Sequence, residues 1–137
     1  FFVSVSVFAQ RPDRDKIKAL KIAHITEQLD LSKDEAQKFW PIYNANEAAE
    51  QNLRLKSSER RKENTPSDLT ESEAKALLLD MVSIEQEKVE LRSKMLKDLL
   101  EILPAKKIIT LVQTEKSFKR KMLQEFKSRH AERERKN

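Results

Sequence analysis

The chain has 137 residues, enough for one domain around one core. It has no Gly and four Pro, which argues against strand-rich folds, because tight hairpin turns and bulges draw on Gly. It has no Cys, which excludes disulfides, thiol catalysis and cysteine-based zinc sites.

Charged residues make up 37% and aromatics 6% of the chain, a balance that suits long helices with wet faces. The 38% of hydrophobic residues is too many for a disordered chain. The expected fold is therefore all-α: four helices arranged as two helical hairpins. Residues 10–137 are read as a single helical domain.

Residues 1–9 are apolar and uncharged, and a charged stretch follows at once. They read as the remnant of a signal peptide. Val7 and Ala9 fill the small-residue positions, and cleavage is expected between Ala9 and Gln10. Export to the periplasm is the expected destination. No later run is long and apolar enough to span a membrane.

The first helix is expected from about Asp13 to Leu29, with Ile22, Ile25 and Leu29 at helical spacing and Ile17 and Leu20 near the same side. It ends at the break over residues 30–32. Ser32 and Glu35 have capping-box spacing and start the second helix. Ala36, Phe39, Trp40 and Tyr43 give it a bulky apolar face. Pro41 lies inside it, and a kink is expected there, because Pro removes a donor and clashes with the preceding turn. Beyond Glu50 this segment turns polar, either as a helix in solvent or as a loop.

Residues 63–69 read as a linker. Thr70 and Glu73 repeat the capping-box spacing. The third helix is expected from there to about Ile102 and carries two apolar seams. Leu77, Met81, Ile84, Leu91 and Met95 form one; Leu78, Val82, Val89, Leu96 and Leu103 form the other. That stripe is wider than one partner helix covers, so self-association as a homodimer is expected. Pro104 suits the start of a fourth helix, along which Ile108, Leu111, Val112, Phe118, Met122 and Phe126 recur at helical spacing. A frayed basic tail is expected from about residue 128.

Net charge is +5 and residues 1–9 contribute none of it. Residues 116–137 hold nine Lys/Arg against three Glu, a net of +6. Such a stretch suits acidic partners. In an exported protein, nucleic acid is not the expected one.

Little here carries chemistry. His24 and His130 have no second His three or four residues away, as a helical metal site needs. His24 reads as an ordinary half-buried residue, with a metal site shared across a dimer, using Glu27, as the alternative. No nucleophile–base order or Gly-rich phosphate loop is present. The expectation is a non-enzyme without cofactor. The residues singled out for binding clients or partners are the basic ones flanking the apolar stripe: Arg54, Lys56, Arg60, Arg61 and Lys62 on helix two, and Lys88 and Arg92 on helix three.

The segment LSKDEAQKFWPIYN at residues 31–44 resembles the Spy/CpxP superfamily of helical proteins marked by LTxxQ motifs. It looks like the branch labelled sensor of ECF-type sigma factor. The residues that carry the resemblance are Leu31, Ser32, Glu35, Gln37, Phe39, Trp40, Pro41 and Tyr43, with Glu35 standing where the motif has Gln. The resemblance implies four helices, elongated or cradle-shaped and often dimeric. It also implies a periplasmic chaperone or envelope-stress protein that holds unfolded or partner proteins. A regulatory sensor that binds one envelope signalling partner is the alternative, and metal sensing, known in some members, is a further one.

Overall fold

The computed structural model describes residues 11–63 and 66–137, with side chains omitted at 11–13 and 60–63. The expected leader, residues 1–9, lies outside the described residues. Four helices follow in order: α1 (Arg11–Leu29), α2 (Lys33–Glu63), α3 (Glu71–Leu100) and α4 (Ala105–Arg135), with one short 3₁₀ turn (Pro66–Asp68) between α2 and α3. Among the described residues there is no strand, and the fold is all-α as expected.

The expected hairpins join the first helix to the second and the third to the fourth, and the pairing differs. The extensive packing is α2 on α3 and α1 on α4. The described residues divide accordingly: those within 33–103 form one compact unit, and 11–32 with 104–137 form the other. Helical periodicity marks which face of a helix is apolar but says nothing about which other face will cover it, so it could not tell pairing of the first helix with the second from pairing with the fourth.

In the first unit, α2 and α3 form the hairpin. The connection from 64 to 70 reaches at most about 25 Å, whereas α2, with 31 residues, runs about 46 Å. The two helices therefore pack antiparallel. Phe39, Tyr43 and Leu53 of α2 are buried, as are Ile84, Met95 and Leu99 of α3. Phe39 and Tyr43 stack at 5.4 Å, and Trp40 meets both edge-on at 4.9 and 5.8 Å. Such pairs add about 0.5–1.5 kcal/mol each beyond their buried area. The helix runs through Pro41 without ending.

Residues 39, 43, 46, 50 and 53 alternate spacings of four and three, the heptad pattern of a two-helix seam. Asn46 interrupts its apolar character. It is buried, its Nδ2 donates to Glu50 Oε1 at 3.3 Å, and its Oδ1 has no partner. A polar group in such a seam lowers stability and specifies register. Past Asn46 the helix stays intact to Glu63, so of the two readings of the polar segment the helical one holds.

Helix α3 starts on Thr70, whose Oγ1 accepts from the Glu73 amide at 3.2 Å. The return arm differs from the usual box: the Thr70 hydroxyl donates to the Glu73 carboxylate at 3.0 Å. At its far end the helix tightens, with Glu101 N–H donating to Asp98 O and Ile102 N–H to Leu99 O. Pro104 then forces the preceding residue out of helical geometry. It sits as the N-cap of α4, one residue before the first turn, and its carbonyl accepts from Lys107 and Ile108.

In the second unit, α1 and α4 run antiparallel. Lys107 Nζ donates to the carbonyl of Asp30 at 3.0 Å, while His24 lies 6.0 Å from the Phe118 ring, centroid to centroid. Ile25 and Leu29 are buried on one side, Ile108, Leu111 and Phe118 on the other. Ile17, Leu20 and Phe126 are exposed, against expectation. Ile17 stands eight residues before Ile25. Eight residues at 100° each leave about 80° of rotation off the seam, and Leu20 is displaced by about 140°.

Two helix ends correct the reading further. The expected fraying from 128 gives way to a helix that continues to Arg135. Arg133 and Arg135 in its last turn suit the negative end of the dipole, and Glu125–Arg129 and Glu132–Lys136 have the favourable i,i+4 order. At the end of α1, Asp30 takes a positive φ of 45°, the helix-terminating role that Gly usually fills. The left-handed conformation costs an L-residue about 1 kcal/mol or more, less for Asp than for most. Replacing Asp30 with Gly is expected to raise stability by roughly 0.5–1 kcal/mol in urea denaturation; a fall of that size would mean that the Asp side chain contributes to the turn.

Candidate functional site

The broadest apolar surface outside the cores belongs to α3. Its first seam faces inward: Ile84 and Met95 are buried, Leu77 and Leu91 half-buried. Met81, at the end of that seam toward Thr70, is 39% exposed. The second seam is open for most of its length. Leu78 is 63%, Val82 55% and Val89 68% exposed, and only toward the end of the helix do Leu96 and Leu103 become half-buried and buried.

The geometry follows from helical rotation. Leu78, Val82 and Val89 fall within about 40° of one another, roughly 100° or more from Ile84 and Met95. One partner helix, α2, covers the second set and cannot reach the first. Leu79, beside Leu78, is exposed as well, and so is Leu100. The two-seam reading did not include these two residues, although an apolar run of three at 77–79 is the signal that marks Leu79.

Glu85 and Gln86 split the open seam. Lys88 Nζ pairs with Glu85 Oε1 at 3.0 Å, a contact on the helix surface worth a few tenths of a kcal/mol. Lys88 is thus engaged along its own helix. Beyond the split, Val89 borders a shallow depression formed with Glu90, Ser93, Lys94, Lys97 and Asp98.

The structure distributes the basic residues singled out from sequence unevenly. Arg54 and Lys56 are exposed on α2. Arg92 is half-buried and has interactions of its own. Arg60, Arg61 and Lys62 lie in the last turns of α2, but their side chains are outside the described residues. The family-motif residues occupy the break and the start of α2. Phe39 and Tyr43 are core; Leu31, Glu35 and Trp40 are half-buried; Ser32, Gln37 and Pro41 face water. Of these positions Phe39 and Tyr43 build the α2·α3 seam, and none lies on the open face of α3.

His24 is half-buried against Phe118, and His130 is exposed beside Phe126. Among the described residues, no group of three or more His, Asp or Glu is placed to hold a metal ion. No helix among them is long and apolar enough to cross a membrane. Set against known families, curated proteins and solved structures, the chain has no match.

The contrast between the two seams is measurable. Val89→Lys is expected to leave stability within about 0.5 kcal/mol, whereas Met95→Ala costs about 2–5 kcal/mol. Thermal and urea unfolding of the two variants check this, and a loss above 2 kcal/mol for Val89→Lys would mean that the open seam is covered.

Proposed function

We propose that the protein is an exported, periplasmic holding protein that binds unfolded or partly folded proteins on the open seam of α3, and that it is not an enzyme. The observation that carries this reading is the row of exposed Leu78, Val82 and Val89, with Leu79 beside it. Scattered apolar residues are ordinary on a surface, but Leu78, Leu79 and Val82 on adjoining positions of one helix, with Val89 in line beyond Glu85 and Gln86, form a patch that rewards contact. Burying the exposed part of each contributes roughly 1 kcal/mol. A few such contacts give weak, reversible capture, which suits a holding protein that must release its client.

Two further points support the reading. The apolar leader ending in Val-x-Ala fits export, and residues 31–44 resemble the Spy/CpxP superfamily. Arg54 and Lys56 supply positive charge that steers acidic, unfolded chains toward the same unit. A second copy of this chain is the alternative cover for the same seam, so the expected homodimer and client binding compete.

An aggregation assay tests the proposal. Equimolar protein should suppress the aggregation of a reduced model substrate. The triple variant Leu78→Ser, Val82→Ser, Val89→Ser should lose that suppression several-fold with unchanged far-ultraviolet circular dichroism. Absence of suppression by the native chain, or equal suppression by the variant, contradicts the reading. Recovery of one saturable partner from envelope extract, in place of diverse clients, would favour a regulatory sensor.

A further inference from the structure

We propose that the outer face of α4, from Lys116 to Lys127, docks on a bilayer surface rich in anionic phospholipid. The face is built from Lys116, Lys119, Arg120, Leu123, Phe126 and Lys127, all exposed. Their spacings of three and four place them in one stripe along the helix. Leu123 is 54% and Phe126 67% exposed, and four cations surround them.

Acidic residues are kept off this stripe. Between Lys116 and Lys127 the one acidic residue, Glu125, falls on the opposite side of the helix, roughly 180° away by rotation, and Glu134 returns to the stripe's side only a heptad past Lys127. Glu115, at the edge of the stripe's start, is half-buried and has interactions of its own. The antiparallel α1 adds to the charge. Its N-terminal half runs beside this part of α4 and presents exposed Arg14, Lys16 and Lys18 against Asp15.

Charge complementarity alone would admit any polyanion, but the two large apolar side chains narrow the choice. Nucleic acid binds through its phosphates and gives no reward for an exposed Leu and Phe lying among lysines. A bilayer rewards both. A helix lying in the interface plane buries its apolar side chains about 5–10 Å deep, while flanking lysines extend their stems to meet the phosphates. The stripe is about 16 Å long and lies on the convex surface of a single helix, which suits a flat interface better than a groove. Polybasic helical segments with this composition are drawn to anionic leaflets within a Debye length. The stripe belongs to the α1·α4 unit and shares no residue with the open seam of α3, so docking and client holding can be tested separately.

Co-sedimentation of the full chain with vesicles provides the test. The probes are vesicles of phosphatidylcholine alone and of phosphatidylcholine with phosphatidylglycerol in a three-to-one mixture. Binding is expected only to the anionic vesicles, and it should be lost in half-molar salt, where the Debye length shrinks to about 4 Å. Lys119→Glu with Arg120→Glu should reduce binding at least tenfold. The milder pair Lys119→Gln with Arg120→Gln should reduce it about threefold. Leu123→Ala with Phe126→Ala should also reduce it several-fold, because the apolar contacts are lost. Three results would overturn the proposal: equal binding to neutral and anionic vesicles, no effect of either charge pair, or binding to polyglutamate as strong as to anionic vesicles with no effect of the Leu123 and Phe126 substitutions. The last would assign the stripe to acidic polymers.

Discussion

The apolar circumference of α3 is wider than one helix can cover, and the rest of the hairpin is arranged around that fact. A two-helix contact buries one seam. Helix α2 takes the seam of Ile84 and Met95, chiefly with its aromatic end: Phe39 and Tyr43 are core, and beyond Asn46 Leu53 is the only buried large side chain among the described residues of the helix. The polar half of α2 stays helical to Glu63. It keeps company with α3 there but has no second apolar face to offer. Leu78, Val82 and Val89 are left in water as a direct consequence.

The α1·α4 unit solves a different problem. Its helices come from opposite ends of the chain, with the whole α2–α3 hairpin inserted between them. Without Gly, the turn out of α1 rests on Asp30 in the left-handed conformation, and its carbonyl is held by Lys107 from α4. The apolar seam of this unit is narrow and ends near Phe118, and the basic stretch of α4 continues past it as exposed helix. Charge and apolarity are therefore sorted differently in the two units: an apolar stripe with few cations on α3, a cationic stripe with two apolar side chains on α4.

Much of the local structure was legible in the sequence because it depends on short spacings. The Thr70–Glu73 cap, the Pro104 boundary and the two seams of α3 are all interactions within a few residues, and each appears near its expected place. Partner choice was not legible. Ile22, Ile25 and Leu29 announce an apolar face but carry no information about whether α2 or α4 will meet it. Ile17 was misassigned because a helical repeat followed over eight residues drifts off the seam, whereas Phe126 shares the rotation of buried Ile108 and is exposed because it lies past Phe118, the last buried side chain of α4. The C-terminal helix was underestimated because charge density reads as solvation, whereas its Glu–Arg and Glu–Lys pairs at i,i+4 support a helix. At the candidate site, the double seam was visible from spacing alone, while Lys88 could not be recognised as engaged by Glu85 until its rotamer was seen.

The central claim is that the second seam of α3 stands open in the free protein and is covered when a client is held. The absence of Cys makes this directly measurable, since a single introduced thiol reports its own position. Alkylation rates of Val89→Cys and Leu78→Cys, compared with Ile84→Cys, should be measured at low micromolar protein with and without a reduced, unfolded substrate. The account predicts fast labelling at 78 and 89 in the free protein, strong protection at both when substrate is added, and slow labelling at 84 throughout. Protection at 78 and 89 in the free protein, or labelling there that substrate leaves unchanged, would contradict it.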